Sequence, residues 1–168
     1  MVDRERLQAA IQRNRGRLIR DRWLNDLALA CGTPVTSADL IDLTETARLK
    51  NSFTAKLADK DSPCWKAQWT KNCESDAYRV LAALGTQGIG IKFVLFSSVD
   101  DLIGACVVDA SAVLEHAADV WKVVKNDLNL ATADLAAGVC LESNYSSEQG
   151  GYLLDLSAWG RFFPSEIV

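Results

Sequence analysis

The segment LGTQGIGIKFVLF, residues 84–96, contains three closely spaced glycines, and glycine-rich loops of this kind can bind phosphate groups. A dinucleotide-binding loop needs G-x-G-x-x-G between a strand and a helix, and a P-loop ends in Lys followed by Ser or Thr. Here the order is GTQGIG, a helical pattern precedes it, and no Lys–Ser/Thr pair follows. We therefore interpret Gly85 as a helix end and Gly88 and Gly90 as a corner into the next helix.

The other reactive side chains form no recognisable catalytic set. His116 is the only histidine, and a lone imidazole cannot build a relay unless a carboxylate and a nucleophile converge on it. It is predicted to be a structural residue beside an apolar helical stripe, or an axial ligand if a haem or pigment is present. The carboxylate pairs Asp100–Asp101 and Asp39/Asp42 do not form a di-iron pattern. We predict no catalytic residue, no resident cofactor and no enzyme activity.

The five cysteines indicate neither a disulfide framework nor a zinc site, because their number is odd and no two are spaced C-x-x-C. Reduced thiols fit a cytoplasmic protein. No apolar run follows the start, and no stretch reaches the roughly 18 apolar residues of a membrane span. The sequence therefore predicts a cytoplasmic protein without a membrane segment.

Charge is distributed unevenly along the chain. Residues 1–22 contain seven arginines and three acids, a net +4, so that the remainder carries −8 of the total −4. The negative total disfavours a general nucleic-acid binder. A basic N-terminal helix on an acidic body is a candidate handle for a protein partner, with Arg13, Arg17 and Arg20 as contacts. The alternative is an ordinary solvated helix face.

Apolar spacing predicts a single mainly α domain such as a helical bundle, spanning residues 1–168 and helical as far as residue 137. Three helices are expected at about 3–30, 37–60 and 65–84. Trp65 and Trp69, four residues apart, would share one face of the third helix and line either the core, a pocket or a partner groove.

A long central helix is predicted at about residues 91–125, because apolar residues recur there in steps of three and four. Its seam would bring Val99, Ile103 and Cys106 to a dimer face or into the core. A shorter helix would follow Asn126, and residues 138–163 predict a C-terminal β-hairpin, with a helical alternative for residues 151–159. The nine positions of the seam are Phe96, Val99, Ile103, Cys106, Ala110, Val113, Ala117, Val120 and Val124.

Two segments resemble a known family. RNRGRLIRDRWLNDL, residues 13–27, is similar to the basic opening helix of RsbR-type N-terminal sensor domains, and LGTQGIGIKFVLFSSVDDLI, residues 84–103, is similar to their later corner and long helix. The resemblance covers about residues 5–125. It implies a globin-like helical fold without haem, usually dimeric, that passes signals to stress-response regulators and histidine kinases.

These observations favour a non-enzymatic helical regulatory or sensor module, homodimeric, that acts through protein–protein contact. One alternative is a small acidic inhibitor or immunity-type protein whose negative body blocks a basic partner. Another is a globin-like carrier of haem or a pigment.

Overall fold

Helices and strands are interspersed along the chain in the computed structural model, which describes residues 4–59, 62–125, 127–148 and 150–162. The side chains of residues 4–10, 12, 13, 15 and 71 lie outside that description, and the predicted contact Arg13 is among them. The described helices are α1 Arg4–Cys31, α2 Leu43–Ala58, α3 Glu74–Gly85, α4 Asp100–Ile103, α5 Ala110–Glu115 and α6 Ala117–Val124; the strands are β1 Trp65–Thr70, β2 Lys92–Phe96, β3 Cys106–Asp109, β4 Asp127–Ala131, β5 Gly138–Ser146 and β6 Gly151–Trp159.

The six strands form one antiparallel sheet in the order β1-β6-β5-β4-β2-β3. The protein is therefore mixed α/β, and the predictions of a mainly α, globin-like or helical-bundle fold are wrong. Hairpin β5–β6, paired from Gly138 opposite Trp159 to Ser146 opposite Gly151, is present as predicted for the C-terminal segment.

One face of the sheet is covered by α1, α3, α5 and α6. Leu27 of α1, Leu81 of α3 and Val120 of α6 pack there against strand residues such as Phe93 and Leu156, all of them buried. This layer holds most of the buried apolar surface of the described chain. Burial of that kind supplies the main free energy that opposes the conformational entropy of unfolding.

The other face is covered only in part, by α2. Asp42 caps this helix by accepting hydrogen bonds from the backbone N–H groups of Thr44 and Glu45. From α2, Phe53 places its ring 5.0 Å from that of Phe96 and 5.9 Å from that of Trp159. This second cluster also includes Ala131 of β4 and Cys140 of β5, and beside it the sheet face stays open in a cleft lined by residues of β1, β5 and β6.

The predicted long helix at 91–125 is wrong, because β2, α4, β3, α5 and α6 occupy that segment. In β2, Phe93 and Leu95 point to the first helix layer while Val94 and Phe96 point to the second cluster. A strand buried on both faces reads as a continuous apolar run without alternation. The apolar residues that recur every three or four positions therefore belong to five separate elements, and what these elements share is burial in the core.

Other element boundaries also differ from the predictions. The segment of Trp65 and Trp69 is strand β1, so the third helix begins only at Glu74. Residues after Asn126 form β4 rather than a short helix. The first helix and the end of α3 at Gly85 agree with the predictions, and Gly90 adopts φ +75° in the corner that leads to β2.

Candidate functional site

A row of carboxylates crosses the open part of the second sheet face. Asp155 of β6 lies opposite Glu142 of β5, and Glu142 lies opposite Asp127 of β4. On the other side of Asp155, Gln68 of β1 completes four polar positions on four adjacent strands. We call Asp127, Glu142 and Asp155 the carboxylate row.

Strand alternation explains how these side chains reach the same face. In β6, Leu154 and Leu156 point to the helix layer, so that Asp155 between them points to the other face. Leu141 has the same role beside Glu142 in β5, and Leu128 beside Asp127 in β4. The apolar residues that build the core therefore also hold the carboxylate row in register.

Two amide groups fix the orientation of Asp155. Gln68 donates from Nε2 to Oδ1 at 2.6 Å, and Asn144 donates from Nδ2 to Oδ2 at 2.8 Å. Both carboxylate oxygens are thus held, although each retains a further lone pair for another donor.

A cleft of about 650 Å³ opens over the part of the row that contains Glu142 and Asp155, and Asp127 lies outside its lining. Residues at the end of α2, including Lys56 and Asp59, form one wall, and the floor includes Gln68, Glu142 and Asp155. The volume lies within the range of ligand sites, but most lining residues here are polar, whereas small-molecule pockets are mainly apolar. The surface is better suited to charged groups than to an apolar ligand.

The thiol at the base of the cleft is not activated. Cys140 is buried and its Sγ donates to Oδ1 of Asn129 at 2.8 Å. Burial raises the pKa of this thiol strongly, and the negative charges of Glu142 and Asp127 raise it further. The neutral thiol is a poor nucleophile and a poor metal ligand. Within the described ranges, no group of three or more His, Cys, Asp or Glu side chains is placed to bind a metal ion.

Comparison with protein-family models, with curated proteins and with solved structures gives no match. Function must therefore be inferred from the arrangement of the cleft itself. No helix in the described part of the chain is both long and apolar enough to cross a membrane.

The residues predicted to bind a partner are spread over the molecule. Arg17 is exposed on α1, and Arg20 forms an ion pair with Asp21 at 3.0 Å. This helix packs on the opposite face of the sheet from the cleft, so these arginines do not line it. Trp65 and Trp69 are half-buried on β1 and pack against the helix-layer core.

The three predicted dimer residues do not form a continuous seam. Val99 lies before α4, Ile103 ends α4, and Cys106 begins β3. Ile103 and Cys106 are buried in the helix-layer core. His116 is exposed between α5 and α6, where its Nε2 lies beside Gly32, and it does not line the cleft.

A second groove of about 430 Å³ lies between α3 and α6. Tyr78 and Trp121 meet there edge to face, with ring centroids 6.5 Å apart. Burial, with a contribution from the charge of Glu74, raises the pKa of Tyr78 to about 12, so its hydroxyl stays neutral. This groove lacks a set of converging charged groups.

Sequence reasoning missed the carboxylate row. Its members are 13 to 28 positions apart along the chain, and only the strand register brings them together. The alternation in YLLDLSAW is a usable signal, since it places Asp155 opposite to the apolar face of its strand. The signal from β4 is lost once its segment is interpreted as a helix.

Proposed function

We propose that the protein is a non-enzymatic regulatory module that binds a basic segment of a partner protein in the open cleft of its sheet. The observation that carries this proposal is the carboxylate row on three neighbouring strands. An inhibitor or immunity-type role, in which the cleft covers a basic functional site of the partner, is the form of regulation that this surface favours.

The row has an electrostatic cost that a basic partner would offset. Like charges placed directly opposite on neighbouring strands destabilise a sheet. Asp155 faces Glu142, and Glu142 faces Asp127, so the cost arises twice. An arginine guanidinium, which donates in a planar fork, fits carboxylates in such an arrangement and forms charge-assisted hydrogen bonds with them.

Three further features support binding rather than chemistry. The amides of Gln68 and Asn144 hold Asp155 in position before any partner arrives, which lowers the entropic cost of binding. Burial raises the pKa of Cys31 to about 11 and that of Cys106 to about 12, so neither thiol is an activated nucleophile. The body outside residues 1–22 carries −8, which would steer a basic partner toward it.

All five cysteines are free thiols. That state supports a reducing compartment, and we place the protein in the cytoplasm.

The test is a titration of the nitrogen-15-labelled protein with the capped tetrapeptide Gly-Arg-Arg-Gly, followed by NMR. The side-chain amide signals of Gln68 and Asn144 report directly on Asp155, and we expect them to shift. A Gly-Gln-Gln-Gly peptide is the uncharged control and should leave both signals in place.

Two variants that each remove one negative charge distinguish the effect of the cleft from the effect of net charge. Glu142→Gln should weaken peptide binding roughly ten-fold, the value of one charge-assisted hydrogen bond. Glu148→Gln, which removes an exposed carboxylate in the β5–β6 turn, should change it by less than about two-fold because exposed charges are screened. Equal effects of the two variants, or unshifted amide signals, would contradict the proposal.

A further inference from the structure

The two edge strands of the sheet, β3 and β1, differ in whether another segment of the chain covers them. At the β3 edge, Leu40 forms an antiparallel bridge with Cys106, and the N–H of Ile41 donates to the carbonyl of Ala105 at 2.8 Å. Thr46 closes the same edge further, since its Oγ1 accepts from the N–H of Ala105 at 2.9 Å. A segment of the chain thus covers the backbone at the start of β3.

Strand β1 at the other edge is paired on one side only. Its six residues pair with β6 from Trp65 opposite Ala158 to Thr70 opposite Leu153. In the described parts of the chain, no backbone hydrogen bond reaches β1 from its outer side. An extended edge of this length is a template for another strand.

The side chains of β1 present two different borders along this edge. Trp65 and Trp69 are half-buried against the helix layer, and strand alternation gives half-buried Ala67 the same side. Lys66 and Gln68 are exposed on the cleft side. Two half-buried tryptophans at an open edge leave apolar area that a neighbouring strand would remove from water.

We propose that β1 pairs antiparallel with β1 of a second copy of the chain, about a two-fold axis at Ala67. Residues directly opposite in an antiparallel pair share a face, so helix-side residues must meet helix-side residues. In this register Ala67 meets Ala67 of the partner subunit, Trp65 meets Trp69 of the partner subunit, and Lys66 meets Gln68 of the partner subunit.

Charge complementarity selects this register over its neighbours. An axis at Lys66 would put two ammonium groups opposite each other, and an axis at Gln68 would put Lys66 opposite Thr70 of the partner subunit. With the axis at Ala67, the partner's Lys66 joins the line that runs through Gln68 to Asp155. Gln68 already donates from Nε2 to Asp155, and its Oε1 is the acceptor suited to that lysine.

Each copy would therefore add a cation to the end of the other copy's carboxylate row. A lysine on an edge strand normally discourages edge pairing. Here Lys66 selects the register. Opposite Lys66 of the partner subunit it would be repelled, whereas opposite Gln68 of the partner subunit it lies next to an amide that is bound to a carboxylate. Since the edge is short and the interface is at the small end of the range, we expect a dissociation constant of roughly 1–100 µM.

Sedimentation velocity of the wild-type chain across that concentration range tests the dimer. We expect the weight-average mass to rise from monomer toward dimer with increasing concentration. A monomer throughout would overturn the proposal.

Cysteine cross-linking tests the register. In a Cys64→Ser/Cys73→Ser background, which removes the half-buried and the exposed thiol, Ala67→Cys should give a disulfide-linked dimer under mild oxidation. Lys66→Cys, whose own copy lies diagonally across the pair, should link at least ten-fold less, because disulfides need Cβ atoms about 3.5–4.5 Å apart. Equal linking, or stronger linking at residue 66, would overturn the register.

The dimer and the binding of the arginine peptide are measured independently. Cross-linking at residue 67 reports the pairing of β1 whether or not the arginine peptide binds, and the Asn144 amide reports peptide binding away from β1.

Discussion

Asp100 should make the stability of the protein fall as pH rises. Its side chain is fully buried at the start of α4 and accepts hydrogen bonds from the N–H of Ser97 at 2.8 Å and from the Oγ of Ser97 at 2.7 Å. Burial raises the pKa of this carboxyl from its usual 3.8 to about 6, although the Ser97 hydrogen bonds and the charge of Lys50 act in the opposite direction.

The sign depends on which state binds the proton more tightly. The folded state holds the Asp100 proton up to about pH 6, whereas the unfolded chain releases it near 3.8. The contribution to the free energy of unfolding is therefore complete below about pH 4 and is lost as pH rises through 6. A difference of about two pH units between the two pKa values corresponds to about 3 kcal/mol.

Asp100→Asn removes the titration and keeps the shape of the site. The amide Oδ1 can accept from the N–H of Ser97, and Nδ2 can donate to its Oγ. Urea unfolding of wild type and variant at several pH values from 4 to 8 should show the variant gaining about 3 kcal/mol relative to wild type across this range. Subtracting the two curves removes the contribution of every other titrating group.

Asp101→Asn is the matched control, because Asp101 is the next residue and its side chain is 85% exposed. Its difference from wild type should be nearly independent of pH, changing by less than about 0.5 kcal/mol. Parallel pH curves for Asp100→Asn and wild type would refute the reasoning that burial dominates this carboxyl.

Two further measurements probe the backbone and the thiols. Gly104→Ala should lower the free energy of unfolding by about 2–4 kcal/mol, because Gly104 has φ +89° and an added Cβ would overlap the carbonyl oxygen of Ile41. Gly90 has φ +75° but no neighbouring atom near an added Cβ, so Gly90→Ala introduces backbone strain without a clash. It should lower the free energy of unfolding by only about 1 kcal/mol. Equal losses for the two variants in urea titrations would contradict the clash at Gly104. With a thiol reagent at pH 8, exposed Cys73 should react at once. Cys106 is buried and its pKa is raised to about 12, so it should react only after denaturation. Labelling of Cys106 in the folded protein, measured by mass spectrometry, would contradict its burial.

The parts of the fold that sequence predicted are those with local signals. Helix α1 ends at Cys31, directly before Gly32 at φ +65°, and hairpin β5–β6 combines alternation with a glycine-containing turn. Gly85 ends α3 as its position implies. In each of these cases the signal lies within one element or at its end.

The prediction for residues 91–125 was wrong because the elements in this segment have hardly any exposed face. From Phe93 to Phe96 every residue is buried, so a strand, a helix and a turn all satisfy the same apolar count. Trp65 and Trp69 show a related ambiguity, since a spacing of four places two residues on one side of a helix and also on one side of a strand. The shared face was predictable, and the type of element was not.

The cleft was beyond prediction for a different reason. Asp127, Glu142 and Asp155 become neighbours only through strand register, which the hydrophobic pattern of several strands sets jointly. Without β4 the row lacks one of its carboxylates. The charge imbalance between residues 1–22 and the remainder was visible, but it could not locate this surface.

The pairing of β1 with β6 also sets an order of events during synthesis. The hydrogen bond between Gln68 and Asp155 joins positions 87 residues apart, and the intervening chain contains four of the six strands. While the ribosome adds those residues, β1 has no sheet to join, and its two tryptophans remain without their final contacts. Because such long-range closure is slow and leaves strand edges exposed, we expect the nascent chain to depend on chaperones until β6 has emerged.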